Sequence, residues 1–263
     1  MMGSFIQHLS ELVCYRELVK NLVARDLKAR YKNSFLGFAW CLVNPLMMMA
    51  VFTVVFGILM RNNIPNFPLF VLIGLLPWNL TVGSVMGSVS SIVGNGHLIK
   101  KVYFPRELLP ISTVLSNAVN FLLASVVLAA MLLLFRVNLS PLVLYFPLIL
   151  LVHLIFLLGL AFFFSSLNVF FRDTEVIMDV VILAWFFMTP IFYNIEDLTS
   201  DYSRLLYIVN PMASIISTYR VVLLYDAPPA WDFLGRTIAT SLALFLVGYW
   251  FFLRQARTFG EEV

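Results

Sequence analysis

Six long apolar segments dominate this chain of 263 residues and constrain its fold more than any other feature. A bilayer core about 30 Å thick takes about 20 residues of α-helix, and most of these segments reach that length. Only 12% of the residues are charged, whereas soluble proteins carry about 25%, so lipid must cover most of the surface. We therefore predict an all-α membrane protein with six transmembrane helices. The segments lie roughly at residues 35–60, 68–93, 108–135, 141–167, 176–194 and 235–253.

The segment before the first span alternates apolar and charged residues. Over residues 5–27 the apolar side chains recur at helical spacing and the charged ones fill the other face. This pattern predicts an amphipathic helix in the plane of the membrane interface, although a soluble helix packed on another element would look the same. The chain thus divides into a cytoplasmic interface helix, residues 1–34, and a transmembrane domain, residues 35–263. The apolar face comprises Phe5, Leu9, Leu12, Val19, Leu22, Val23 and Leu27.

The placement of Lys and Arg predicts the orientation in the membrane. Cytoplasmic loops are enriched in these residues. With the N-terminus inside, twelve of the 17 Lys and Arg residues fall on the cytoplasmic side and five on the outer side. We therefore predict a multi-pass protein with both termini in the cytoplasm. The mild net charge of +3 gives no indication of a nucleic-acid partner.

The last outer loop, residues about 195–234, is the only long one. It carries several acidic residues but also apolar stretches with helical spacing. We expect short re-entrant helices there that dip back toward the membrane.

Residue sets for ATP binding, catalysis or ion coupling are missing from the sequence. It contains no G-x-x-x-x-G-K-[ST] phosphate loop and no Cys/His cluster for a metal, and Cys14 and Cys41 are isolated. Ion-coupled transporters usually place an acidic group in mid-span, and none lies there. His153 is the one titratable group in mid-span, and we interpret it as structural, held by a neighbouring hydroxyl or carbonyl group. Transport must then be passive or driven by a partner.

A glycine-bounded segment between the second and third spans is the main cytoplasmic feature. It runs from Gly94 to Glu107, with Pro105 ending about two turns of amphipathic helix. Its apolar and basic side chains suit a docking site for a soluble partner. An ordinary positively charged cytoplasmic loop would have the same composition, so the residues alone leave both readings open.

Short motifs flank and separate the spans. They are Arg25-Asp26-Leu27-Lys28-Ala29-Arg30-Tyr31, Ser34-Phe35-Leu36-Gly37, Trp40, Asn44-Pro45-Leu46, Leu98-Ile99-Lys100-Lys101-Val102-Tyr103-Phe104-Pro105, Leu108-Leu109-Pro110, Asn168-Val169-Phe170-Phe171-Arg172-Asp173, Thr189-Pro190-Ile191-Phe192-Tyr193, Asn210-Pro211 and Tyr219-Arg220. In their order and spacing they resemble the polysaccharide-exporting permeases of ABC transporters, which move O-antigen, teichoic acid or capsule chains across the bacterial inner membrane. The chain departs from that pattern at Phe35, where the family often has a smaller or polar residue.

The resemblance implies partners and a coupling site. It implies a homodimer of this chain with two copies of a separate ATPase subunit, which binds ATP and Mg, so this chain itself would be neither an enzyme nor a cofactor-binding protein. The substrate would be a glycan on an undecaprenyl-type lipid. Residues 95–105 would form the coupling helix seated on the ATPase. The expected coupling residues are Asn95, His97, Leu98, Lys100, Lys101, Phe104, Pro105 and Arg172.

Aromatic side chains are abundant and suggest how a sugar chain could pass. Aromatic rings stack on the C–H faces of sugars, and two copies of one span can face each other in a homodimer. We expect the first and fifth spans to line the passage, although an aromatic belt or core packing would explain the same rings. Trp185 and Tyr193 would stand roughly 12 Å apart along a helix axis. The candidate pore residues are Phe52, Phe56, Trp185, Phe186 and Tyr193.

Other kinds of transporter and enzyme remain as alternatives. An ABC permease for drugs or small lipids would share the architecture but needs no passage of sugar width. A stand-alone flippase or secondary transporter should show acidic residues in mid-span and often an internal repeat, and a membrane-embedded transferase should show acidic metal-binding motifs. The sequence shows neither mid-span acidic residues nor an internal repeat, and Asp173 and Glu175, beside Arg172, are too few for such a metal-binding motif.

Overall fold

A computed structural model describes residues 15–32, 34–60, 64–137, 140–194, 207 and 209–262. These residues form helices and their connections, with no strand among them. In chain order the helices are α1 (Arg16–Tyr31), α2 (Trp40–Phe52), α3 (Phe67–Val89), α4 (Gly96–Lys101), α5 (Leu108–Leu134), α6 (Phe146–Phe170), α7 (Thr174–Met188), α8 (Pro211–Leu223), α9 (Trp231–Gln255) and α10 (Phe259–Glu262). Short 3-10 turns precede α2, α4 and α6, and α2 continues as a π-helix over Thr53–Leu59.

Within the described residues, five helices are long and apolar enough to cross a membrane. They confirm five of the six predicted spans to within a few residues at most ends. The five spans are Trp40–Leu59, Phe67–Val89, Leu108–Leu134, Pro141–Phe170 and Trp231–Gln255.

The predicted fifth span, residues 176–194, is a helix of only 15 residues, α7. At 1.5 Å per residue it is about 22 Å long, short of the ~30 Å core. It ends at Met188 because Pro190 follows, and Thr189, the residue before the proline, takes an extended conformation. The count of six complete spans therefore stays a prediction.

Helix α3 lies at the centre of the bundle. Its residues from Leu69 to Trp78 are all buried, as expected for a helix that is apolar on every side. It packs against α2, α5, α6, α7 and α8. The other helices are therefore positioned by their contacts with α3 or with each other around it.

A close backbone contact joins α6 to α9. A Cβ atom at Gly248 would overlap the carbonyl oxygen of Gly159, and one at Gly159 would stand 2.7 Å from the carbonyl carbon of Leu244. Small residues allow such approach between membrane helices, where apolar side chains gain little by leaving lipid. This pair is the most extensive helix contact in the described structure.

Helix α8 lies in the predicted re-entrant region, residues 195–234. It has 13 residues, and most of them, including Met212, Ile216 and Tyr219, are buried against α3, α6 and α9. A helix of this length does not cross a bilayer; it packs within the bundle, and its re-entry into the membrane stays a prediction. Residues 195–206 and 208 of this region lie outside the described residues.

Helix α1 is the described part of the predicted interface helix. Leu22 is buried, and Leu18 and Val19 pack beside it against residues of the bundle. The face opposite Leu22 is exposed and charged. The predicted apolar residues Phe5, Leu9 and Leu12 lie outside the described residues, and the position of α1 in the membrane interface stays a prediction.

Replacing Gly248 with Ala should weaken the α6–α9 contact because the new Cβ meets backbone, which cannot turn aside. We expect a destabilisation of roughly 1–3 kcal/mol, read as a lower thermal unfolding midpoint of the purified protein in detergent. Gly235→Ala is the matched control: it lies in the same helix with open space around it and should be neutral or stabilising by about 0.5–1 kcal/mol. Equal midpoints for the two variants would contradict the close contact.

Candidate functional site: an outer aromatic cluster and a basic coupling segment

A buried arginine joins α8 to the end of α7. The guanidinium of Arg220 donates to the carbonyl oxygens of Pro190 at 2.5 Å, Ile191 at 2.6 Å and Phe70 at 3.3 Å. It also lies 3.5 Å from the centre of the Phe70 ring. The carbonyl groups of Pro190 and Ile191 lie after the end of α7 and cannot be satisfied by its helix, whereas that of Phe70 belongs to α3. Arg220 therefore fixes the chain reversal after α7 against the central helix α3.

Asn210 completes the same junction. Its Oδ1 accepts from Trp185 Nε1 at 2.8 Å and from the backbone N–H of Met212 at 3.1 Å, which caps α8. Its Nδ2 donates to Thr189 Oγ1 at 3.0 Å and to the carbonyl of Met188 at 3.2 Å. One side chain thus holds the start of α8 against the end of α7.

An aromatic cluster lies beside this junction. Phe192 is at its centre, with ring centroids 4.4 Å from Phe56, 5.7 Å from Phe186 and 6.3 Å from Phe52. Tyr193 adjoins Phe192 at 5.6 Å. The structure therefore brings four of the five predicted pore residues together, from α2, its π-helical extension, α7 and the segment after α7. We call Phe52, Phe56, Phe186, Phe192 and Tyr193 the outer aromatic cluster.

The fifth predicted pore residue, Trp185, has a different environment. Its ring packs against Trp78 at 5.7 Å and Phe156 at 6.2 Å, and its Nε1 is bonded to Asn210. Its indole therefore faces the bundle, and packing is the role that these contacts support.

Phe56 lies in the π-helical extension of α2. The N–H of Met60 bonds to the carbonyl of Val55, five residues back, at 3.0 Å. Such a wider turn rotates the residues that follow relative to an α-helix, and it often occurs at functional sites. Phe52 and Phe56, four residues apart, stack with ring centroids 5.9 Å apart, as residues at this spacing can in any helix.

His153 has a structural environment, as predicted. It is fully buried on α6, and its Nε2 lies 2.9 Å from Thr81 Oγ1 of α3. Thr81 Oγ1 also donates to the carbonyl of Pro77, the proline inside α3, at 3.0 Å. The pair gives α3 and α6 a polar contact in mid-span.

The predicted coupling segment is a six-residue helix, α4, with exposed basic side chains. His97, Lys100 and Lys101 are exposed, and Leu98 is partly buried. The segment is tied to α1, because Arg25 Nη1 donates to Asn95 Oδ1 at 3.0 Å. Tyr103, which is not among the expected coupling residues, is 97% exposed. The exposure of this large ring, which marks Tyr103 as a candidate contact for a partner, is visible only in the structure.

Phe104 is buried, which changes its expected role. Only 6% of it is exposed, and it packs in a cluster with Leu22 of α1, Phe162 of α6 and Phe252 of α9. Its neighbour Pro105 is partly buried. Phe104 therefore anchors the coupling segment in the bundle, and Phe104→Ala would act on a partner only through this packing.

Arg172 lies at the same end of the bundle. It is exposed in the turn between α6 and α7. The Nδ2 of Asn168, one turn earlier, donates to the carbonyl of Val89 at the end of α3 at 3.0 Å. This bond places the turn beside the connection from α3 to α4. The coupling residues predicted from both connections thus share one end of the molecule, which we call the basic end.

The ABC-2 type transporter family model matches residues 17–224. The chain is 36% identical to the O-antigen export system permease protein RfbA of Myxococcus xanthus, over 98% of this chain and all of that protein. It is 32% identical to RfbA of Klebsiella pneumoniae, over 93% of this chain and 94% of that protein. It is also 24% identical to the polysialic acid transport protein KpsM of Escherichia coli, over 77% of this chain and 79% of that protein.

Removing the guanidinium of Arg220 should destabilise the fold because carbonyl oxygens at the α7–α8 junction lose their donors. We expect Arg220→Met to cost on the order of 3 kcal/mol and Arg220→Lys to cost less, measured as thermal unfolding midpoints in detergent. Arg254→Met is the control, since Arg254 is exposed at the end of α9. A midpoint for Arg220→Met equal to that of the control would show that the junction holds without these bonds.

Proposed function

Because the chain belongs to the ABC-2 type transporter family, we propose that it is the membrane permease of an ATP-driven exporter of a lipid-linked polysaccharide. Its likeness to an O-antigen export permease over nearly the full length of both chains carries this proposal. The likeness to a polysialic acid transport protein supports a long glycan as cargo. The glycan would be of O-antigen, teichoic acid or capsule type, and the membrane would be the bacterial inner membrane.

A separate ATPase subunit, in two copies with its ATP and Mg, would drive the transport. The basic end, which we place in the cytoplasm together with both termini, is the proposed docking surface. Lys100, Lys101 and Tyr103 would contact the ATPase directly, whereas Phe104 would pass its movement to α1, α6 and α9. Arg172 would add a second contact from the α6–α7 turn.

A second copy of this chain would complete the passage. The faces of α2 and α7 that point away from the bundle carry exposed apolar side chains. Examples are Met47, Val51 and Ile58 on the first span and Val180 and Phe187 on α7. In a homodimer these faces would meet or enclose a path beside the outer aromatic cluster. Rings at several heights would offer weak, repeated stacking, so a long chain could slide without being held at one site.

A permease for drugs or small lipids is the alternative within the same family. It would use the same ATPase and the same basic end, but its relatives should not include polysaccharide exporters along the whole chain. A stand-alone transporter would need an ionisable group in mid-span, and the one titratable group there, His153, is bonded to Thr81.

Export should require the ATPase and an intact basic end. In proteoliposomes we expect no ATP hydrolysis by this chain alone, and both hydrolysis and glycan export once the ATPase of the same export system is added. Lys100→Glu/Lys101→Glu should reduce ATPase recovery in a pull-down by roughly tenfold or more, because reversed charges disfavour a complementary partner. Tyr103→Ala should also reduce recovery, and Lys20→Glu, on the exposed face of α1, is the control. ATP turnover by the isolated chain would refute the proposal. If all variants recover as much ATPase as the wild type, the basic end only sets the orientation in the membrane and does not bind the ATPase.

The outer aromatic cluster should be accessible from the passage. In a chain with both native cysteines replaced by Ala, we expect Phe52→Cys, Phe56→Cys and Phe186→Cys to react with a water-soluble thiol reagent in the ATP-driven complex. Val126→Cys, on the exposed face of α5, should be protected by lipid, and Trp185→Cys should be protected by the bundle. Protection of all three test positions at rest and during turnover would mean that these rings do not line an aqueous path.

A further inference from the structure

A polar cavity opens between α2, α3 and α5, away from the outer aromatic cluster. Its volume is about 250 Å³. Four asparagines line it: Asn44 of α2, Asn79 of α3, and Asn117 and Asn120 of α5. Arg30, in the last turn of α1, stands with them in the lining, and the described lining residues include no acidic side chain.

Such a polar lining is unusual in helices that cross a membrane. Asn79 lies near the middle of α3 and Asn44 in the second turn of α2, and both side chains are exposed. Uncompensated amides are costly in hydrocarbon, and polar residues at this depth are commonly functional. None of the described residues forms a hydrogen bond with the side chains of Asn44 or Asn79. Their amide groups are therefore available to a ligand.

The charge at the cavity selects the chemistry of that ligand. Arg30 offers a planar set of donors suited to phosphate oxygens, and Asn side chains add neutral N–H donors. Lys28 of α1 and Lys32, just after the end of α1, are also exposed but lie outside the cavity lining. Within the described residues, no carboxylate lies within salt-bridge distance of any of these three cations. The site is thus positive and rich in donors.

The walls of the cavity suit the rest of a lipid. Apolar side chains surround the asparagines, including Met48, Leu76 and Phe121, and Trp40 adds an aromatic ring. The volume is just below the range of about 300–1,000 Å³ typical of small-molecule sites. It would take a headgroup and the first part of a chain, and a polysaccharide would have to lie elsewhere.

We propose that this cavity binds the phosphate group of an anionic lipid, with Arg30 and the exposed amides of Asn44 and Asn79 as its ligands. With the N-terminus in the cytoplasm, Arg30, which precedes the first span, would stand at the level of the inner leaflet. The lipid is either a phospholipid of the bilayer or a polyprenyl phosphate of the kind that carries the glycan. The second source rests on the proposed function; the phosphate chemistry does not.

Native mass spectrometry of the full chain released from detergent micelles tests this assignment. The probes are phosphatidylglycerol, a polyprenyl phosphate and, as the uncharged reference, diacylglycerol. We expect both phosphate lipids to bind about tenfold or more tightly than the reference. Arg30→Gln and Asn44→Ala/Asn79→Ala should remove this preference. Lys28→Gln, which removes the same charge from the same helix outside the cavity lining, should retain it.

The outcomes separate the two sources and the two hypotheses. A preference for polyprenyl phosphate identifies the glycan carrier, and equal binding of the two phosphate lipids identifies an ordinary anionic lipid; both uphold the site. Binding of diacylglycerol as tight as that of the phosphate lipids, or an unchanged preference in Arg30→Gln and in Asn44→Ala/Asn79→Ala, overturns it. Glycan export by the ATPase-containing complex is measured in parallel. If the wild type exports glycan but shows no preference for phosphate lipids, the lipid-binding site is refuted and the proposed function stands. If it binds phosphate lipids but does not export glycan, the proposed function is refuted and the site stands.

Discussion

The hydrogen bonds from Arg220 to backbone carbonyl oxygens determine how this chain can end a helix inside a membrane bundle. Irregular backbone is tolerated at membrane depth only where protein or water satisfies its polar groups. Here the residues after α7 are irregular, and Pro190 and Ile191 find their donor on α8. Among the described residues no carboxylate pairs with Arg220; several carbonyl dipoles share its charge, and the Phe70 ring lies against it.

Several other features depend on that junction. Once α7 stops at Met188, the chain places Phe192 among rings from α2 and α7. Asn210 caps the start of α8 at the same junction, so the positions of α8 and of the outer aromatic cluster both depend on it. The passage proposed for the glycan would therefore have a rigid inner wall, supplied by the junction, and a face completed by a second copy.

The basic end is built on a different principle. Phe104 anchors it in the bundle through apolar contacts with the rings of Phe162 and Phe252, whereas its outward face is charged. Packed side chains transmit displacement because protein interiors are dense and poorly compressible. A partner that moves α4 would consequently move α1, α6 and α9 together, and this is the arrangement that a permease driven from outside its own chain needs.

The amino-acid sequence by itself determined the class, the lengths of most spans, the presence of a helix in the last loop and the motifs that resemble polysaccharide exporters. These follow from hydropathy, proline positions and residue order, which are properties of local sequence. The tertiary structure decided what each side chain does. It turned Trp185 toward Asn210, buried Phe104 and exposed Tyr103, and it gathered Asn44, Asn79, Asn117 and Asn120 from three helices around one cavity. Helices that are apolar on all sides carry almost no sequence signal for which face turns inward, because lipid and protein interior are similar solvents. Only the packing of one helix on another makes that choice.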